Sequence, residues 1–141
     1  MDYIELHTRS AFSFLAGGSL PEDLVARAAA LDHAVIAMGD RDGLYGAPRF
    51  HKAATQAGLR AIVGCTLTMA GGGALYLLVA DRTGYRNLCR LLTDAKLRAP
   101  KGQAVVEGAT WRGGRRGWCA WWGTGVRVRV GVGGGAPTPT P

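Results

Sequence analysis

Two stretches of this chain hold the residue types that do chemistry. The first is His7-Thr8-Arg9-Ser10, continuing through Ala11-Phe-Ser-Phe-Leu15 to Gly17-Gly18. The second is Gly39-Asp40-Arg41-Asp42-Gly43, ending at Gly46. A neutral imidazole at His7 and a carboxylate at Asp40 suit a zinc, manganese or iron centre. A hydrolytic centre would need several more such groups to hold more than one metal. The other histidines, His33 and His51, have no spacing that pairs them with His7. Taken alone, His7 reads as a strand-end histidine satisfied by hydrogen bonds. Arg9 and Arg41 stand where the two loops would meet, and guanidinium groups there repel a divalent cation. They suit pairing with Asp40 and Asp42, or binding a phosphate group. Ion pairs that brace the loops are the simpler reading. Gly71-Gly72-Gly73 matches neither a P-loop nor a dinucleotide fingerprint, so it reads as a turn.

These loops need strands and helices to place them. Tyr3-Ile-Glu-Leu-His7 predicts a first strand. Ser19-Leu-Pro-Glu22 is a capping-box pattern that opens a helix to about Asp32, with Leu24, Val25, Ala28 and Leu31 on one face. Ala34-Val-Ile-Ala-Met38 is short and wholly apolar, as suits a parallel strand covered on both faces. A helix over Ala47 to Ala57 follows, with Phe50, Ala53, Ala54 and Ala57 as its buried stripe and Gly58 as its stop. Arg60 to Met69 and Ala74 to Ala80 predict two strands joined in a hairpin by the triple glycine. A last helix runs from Thr83 to Leu97, with Tyr85, Leu88, Cys89 and Leu92 at helical spacing. Strands alternating with helices imply βαβ units and a mostly parallel sheet. In such sheets sites form at the carboxyl ends of the strands, which is where both polar loops fall. Gly64-Cys65-Thr66 lies on the third strand.

The totals divide the chain near Gly102. Of a formal net charge of +7 over 141 residues, residues 103–141 hold five Arg and one Glu, more than half of the excess. That stretch also holds all four tryptophans and has no Leu, Ile, Phe or Met. Trp111, Trp118, Trp121 and Trp122 interleave with Arg112, Arg115 and Arg116, a pattern that could grip single-stranded nucleic acid by stacking and charge. The plainer reading, preferred here, is an unstructured, low-complexity tail translated out of frame from a GC-rich message. Cys65, Cys89 and Cys119 are odd in number and widely spaced, which fits a reduced cytoplasmic protein. No apolar run approaches the ~20 residues of a membrane span, and no secretory signal opens the chain, so no membrane partner is expected.

Residues 3–102 resemble the N-terminal PHP (polymerase and histidinol phosphatase) domain of bacterial DNA polymerase III alpha subunits, the error-prone branch in particular. The resemblance rests on Tyr3-Ile-Glu-Leu-His7, Ser10-Ala-Phe-Ser-Phe-Leu15, Pro21-Glu-Asp-Leu-Val-Ala-Arg-Ala-Ala29 and Asp40-Arg-Asp-Gly-Leu-Tyr-Gly46. It continues through Arg49-Phe-His-Lys-Ala53, Gly58-Leu59, Ile62-Val-Gly64 and Asp81-Arg-Thr-Gly-Tyr-Arg-Asn-Leu-Cys-Arg-Leu-Leu-Thr93.

The resemblance implies an α/β fold, a distorted PHP-type (β/α)7 barrel of which this chain supplies the first half. The domains expected are a half-barrel over 1–102 and a tail over 103–141. The family's metal ligands map onto His7, Arg9, Asp40, Arg41 and Thr66, so only His7 and Asp40 keep a ligand-type side chain. Binding of zinc or manganese is therefore expected to be weak or absent, and no catalytic residue is assigned. In full-length members the partners are DNA and the remaining polymerase domains, which carry nucleotidyl transfer in replication and lesion repair. This chain is expected to be an inactive fragment of such a polymerase. The rival expectations are a small PHP-type metal-dependent phosphoesterase using His7 and Asp40, and a nucleic-acid-binding module acting through the Arg/Trp tail.

Overall fold

The computed structural model describes residues 3–107 and, as backbone alone, a strand at 118–122. In chain order the strands are β1 (Glu5–Thr8), β2 (Val35–Arg41), β3 (Arg60–Thr68), β4 (Ala74–Val79) and β5 (Trp118–Trp122). The helices are α1 (Pro21–Ala30), α2 (Ala47–Gln56) and α3 (Arg82–Arg98). All five strands join one sheet in the order β1-β2-β3-β4-β5. The pairs β1/β2 and β2/β3 are parallel, with α1 and α2 as their crossovers. Pairing then switches to antiparallel at β3/β4 and β4/β5. The expected parallel character therefore holds for the first three strands and ends at the glycine turn. Gly71, Gly72 and Gly73 have φ of +83°, +99° and +87°, which only glycine adopts without strain.

The sheet is curled. Tyr76 on β4 donates its hydroxyl to the Leu6 carbonyl on β1 at 2.6 Å. In a flat sheet those strands would be three steps of about 4.8 Å apart, farther than a tyrosine reaches. β1 also carries an irregularity: Glu5 stands opposite Ile36 but Thr8 opposite Met38, so the register shifts between them.

Two apolar clusters hold the sheet. Val25, Ala28, Ile36, Met38, Phe50 and Ala54 pack α1 and α2 against β2. On the α3 side, alternate β3 residues Cys65 and Leu67 meet Leu75 and Leu77 of β4 and Leu88, Leu91 and Leu92 of α3. Ile36 to Asp40 are all buried, as an apolar central strand requires. Of the expected helical stripes, Phe50 and Ala54 are fully buried, but Leu31 is 53% exposed.

Helix ends agree in part with the sequence. Gly58 (φ +74°) stops α2: its N–H bonds the Thr55 carbonyl and the Leu59 N–H bonds that of Ala54. The capping box expected at α1 does not form. Leu20 is the N-cap, with no side-chain hydrogen bond. Glu22 turns instead to Arg49 of α2, accepting from Nε at 2.6 Å and from the terminal guanidinium at 3.1 Å. α1 ends at Ala30 because Asp32 takes a left-handed backbone (φ +56°) and the His33 N–H closes onto the Ala28 carbonyl. At α3 the Asp81 carboxylate accepts the Gly84 N–H at 2.8 Å.

Packing continues past Gly102. Ala104 and Val106 are buried against the α3 cluster, and the Val106 N–H bonds the Thr68 carbonyl. Trp118–Trp122, within the stretch expected to be unstructured, pairs with β4. These residues are mostly aromatic, and β4 would otherwise present a bare edge. Trp111, Arg112, Arg115 and Arg116, with the rest of 108–117 and 123–141, lie outside the described residues, so the nucleic-acid grip and the out-of-frame tail expected there fall outside them too. Among the described residues no helix is long and apolar enough to cross a membrane.

Candidate functional site

Parallel pairing brings the carboxyl ends of β1 and β2 side by side, so the two polar loops meet as expected. Their centre is Asp40, which is 2% exposed. Its Oδ1 accepts the Ser10 N–H and the Ser13 hydroxyl, both at 2.7 Å. Its Oδ2 accepts the Ser10 hydroxyl, also at 2.7 Å. Each serine is used twice. Ser10 Oγ accepts the Phe12 N–H at 3.2 Å, and Ser13 Oγ accepts the Arg41 N–H at 3.0 Å. The carboxylate thus ties the loop after β1 to the end of β2. Charge-assisted hydrogen bonds of this kind are the strong ones. Gly46 closes the far side: a Cβ there would stand 2.9 Å from Asp40 Oδ2 and 3.1 Å from Ser10 Oγ.

The neighbouring positions are also committed. Thr66 is buried and donates its hydroxyl to the Gly39 carbonyl at 3.1 Å. Asp42, at φ +50°, accepts the Thr68 N–H at 2.7 Å and the Thr68 hydroxyl at 2.6 Å, lacing β2 to β3. Arg41 lies 3.7 Å from Asp42 Oδ2, but its side chain is 61% exposed, so the pair adds little to stability. Arg9 does not form the expected loop ion pair; its Nε is buried without a hydrogen-bond partner among the described residues.

His7 sits at the edge of this cluster. Its ring is 4.5 Å from the Tyr76 ring, and its backbone N–H bonds the Glu5 carboxylate at 3.0 Å. Partial burial lowers the imidazole pKa, the adjacent Arg9 lowers it further, and Glu5 opposes both. Burial likewise pushes the Tyr76 phenol well above its ordinary value.

The mapped ligand positions are occupied as follows. Both oxygens of Asp40 are taken by serines, Thr66 faces a backbone carbonyl, and arginines occupy two adjacent positions. Among the described residues no group of three or more His, Cys, Asp or Glu side chains could hold an ion. The sequence reading did not single out Ser10 and Ser13. Their signal was the Ser-x-x-Ser spacing just behind β1, with Ser13 set between Phe12 and Phe14.

A curled sheet whose first three strands are parallel, with crossover helices and its loops gathered at the strand carboxyl ends, is an α/β barrel-type arrangement. The sequence profile of the PHP domain matches residues 5–119, and the chain belongs to that family. Within it, the chain is similar to the N-terminal region of error-prone DNA polymerases. It is 44% identical over 106 residues to that of Ralstonia nicotianae, a stretch covering 72% of this chain and 10% of the polymerase. It is 49% identical over 98 residues to that of Anaeromyxobacter sp. strain K, covering 66% and 9%. The chain therefore spans about a tenth of the length of the polymerases it matches. Among solved structures, an amidohydrolase from Chromobacterium violaceum with bound sulfate and no metal aligns at TM-score 0.56 and 26% identity, over 67% of this chain and 33% of that one. A protein from Bifidobacterium adolescentis, proposed to be a metal-dependent phosphoesterase, aligns at TM-score 0.56 over 68% and 34%. At 19% identity that second likeness shows the fold alone.

Proposed function

We propose that this chain serves as the N-terminal PHP module of an error-prone polymerase of the DNA polymerase III alpha type, a cytoplasmic protein of replication and lesion repair. In this reading the metal site of the fold has become a structural joint, and the module neither hydrolyses phosphate esters nor extends a primer by itself. DNA and the other polymerase domains are its partners in the whole protein.

The observation that carries the reading is the engagement of both Asp40 oxygens by Ser10 and Ser13. A buried carboxylate that already accepts three short hydrogen bonds would have to give up at least part of them to hold a cation through both oxygens. The neighbouring positions offer no further ligand: Arg9 and Arg41 are cationic, and Thr66 already donates its hydroxyl to the Gly39 carbonyl.

Metal analysis of the purified chain tests this. After incubation with excess zinc or manganese and desalting, the chain should retain far less than one metal per molecule, and His7→Ala should not change that figure. Stoichiometric metal that is lost in His7→Ala, together with hydrolysis of p-nitrophenyl phosphate, would establish the phosphoesterase reading instead.

A further inference from the structure

The loop between β1 and α1 has two unlike faces. Its inner face is Ser10 and Ser13, both buried and fixed on Asp40. Its outer face is apolar: Phe12 is 41% exposed, Phe14 84% and Leu15 92%. The loop is closed on itself, since the Ala11 N–H bonds the Ser19 carbonyl, and the N–H groups of Ala16 and Gly17 bond that of Ser13. Arg49, held by Glu22, lies over the Phe12 ring at 5.7 Å from its centroid. Leu15 has φ +62°, a left-handed backbone that a branched residue adopts only under constraint. The fold thus spends rigidity and strain on holding apolar side chains in water. Rigid, preorganised apolar anchors are what central interface residues look like before they are covered.

We propose that Phe14 and Leu15 form a fixed plug that seats in an apolar pocket on the polypeptide following this region in the longer polymerases. The inference rests on the reading of the chain as a polymerase module. The matched stretch is 10% of the Ralstonia nicotianae polymerase, so about nine-tenths of that molecule lies beyond it. A patch this small is below the size of a stable free interface. It suffices for a tethered partner, whose effective concentration reaches the millimolar range, and so favours the rest of the same molecule over a second copy. Nucleic acid fits less well. Leu15 offers no stacking face, and Arg49, the arginine lying over Phe12, is already held at two points by Glu22.

The test is a chimera in which this chain's residues 3–107 replace the matched region of the Ralstonia nicotianae polymerase, made with and without Phe14→Ser/Leu15→Gly. With the native loop, the chimera should unfold as one unit and extend a primer. The double substitution should speed tryptic cleavage at the domain junction by about tenfold or more. In the isolated 141-residue chain the same substitutions should leave the thermal midpoint unchanged or raise it. A native-loop chimera that neither assembles nor extends a primer would sink the polymerase reading, and the plug with it. An assembled chimera that the substitutions leave equally resistant would sink the plug alone. So would a lowered midpoint in the isolated chain, or loss there of self-association or of single-stranded DNA binding.

Discussion

The Tyr76 ring lies in the space that a side chain on Gly39 would need. A Cβ at Gly39 would stand 2.8 Å from Tyr76 Cζ and closer still to Cε2. This vacancy lets a residue of β4 pass beneath β2 and bond Leu6 on β1, which fixes the curl of the sheet. Gly39→Ala should therefore destabilise the chain by about 1–3 kcal/mol, the usual cost of overpacking. Urea unfolding would measure it. In a Tyr76→Leu background the cost of Gly39→Ala should shrink; an equal cost in both backgrounds would show that the glycine is needed for some other reason.

Asp40→Asn replaces one acceptor oxygen with a donor facing groups that already donate. At least one of the Ser10 N–H, Ser10 hydroxyl and Ser13 hydroxyl then loses its partner in a buried place. The expected loss is about 3 kcal/mol, with Ser10→Ala and Ser13→Ala each costing about 1–2 kcal/mol. Because all three share one carboxylate, the double serine variant should cost less than the sum of the singles. If Asp40→Asn left stability unchanged without metal, and added manganese stabilised only the parent chain, the carboxylate would be serving a cation after all.

The contrast between fold and site shows what the sequence could disclose. The apolar run at Ala34–Met38, the stop at Gly58 and the glycine turn at 71–73 were legible because each follows from local rules of periodicity and backbone geometry. The α1 cap was misread because Glu22 had a better partner, Arg49, 27 residues away, and no local rule sees that pair. Leu31 was misread for a related reason: Asp32 ends the helix before that face can pack. At the site, Asp40 and His7 were visible as residue types. That Asp40 would be spent on Ser10 and Ser13 depends on the parallel register of β1 against β2, which residue types do not encode.

Cys65 gives the fold a dependence on alkaline pH. Burial pushes its thiol from the ordinary 9.0 up to about 12, with Asp42 and Asp40 adding to the rise and Lys96 opposing it. Above pH 9 the unfolded chain loses this proton while the folded chain keeps it. The unfolded state then binds fewer protons, so stability falls as pH rises from 9 towards 12. The loss from this group should be about 1.4 kcal/mol by pH 10. Urea titrations at pH 8, 9 and 10 should show a steeper decline for the parent than for Cys65→Ala. At pH 8 the folded chain should also shield Cys65 from a thiol reagent that reaches the half-buried Cys89. Parallel declines in the two proteins would place the alkaline sensitivity elsewhere.

Leu15→Gly should make the isolated chain more stable. A branched residue at φ +62° costs about 1–2 kcal/mol relative to glycine. The side chain is 92% exposed, so its removal forfeits almost no burial. Glycine also loosens the unfolded chain, which returns part of the gain. The net expectation is an increase of about 0.5–1 kcal/mol, read as a higher urea midpoint at unchanged slope. Leu15→Ala, which keeps the backbone penalty and removes the same apolar surface, should leave the midpoint where it is. A rise in both variants would mean that exposure of the side chain, not the left-handed backbone, was the source of the cost. A fall in both would mean that Leu15 packs against the chain itself and is not held out for a partner.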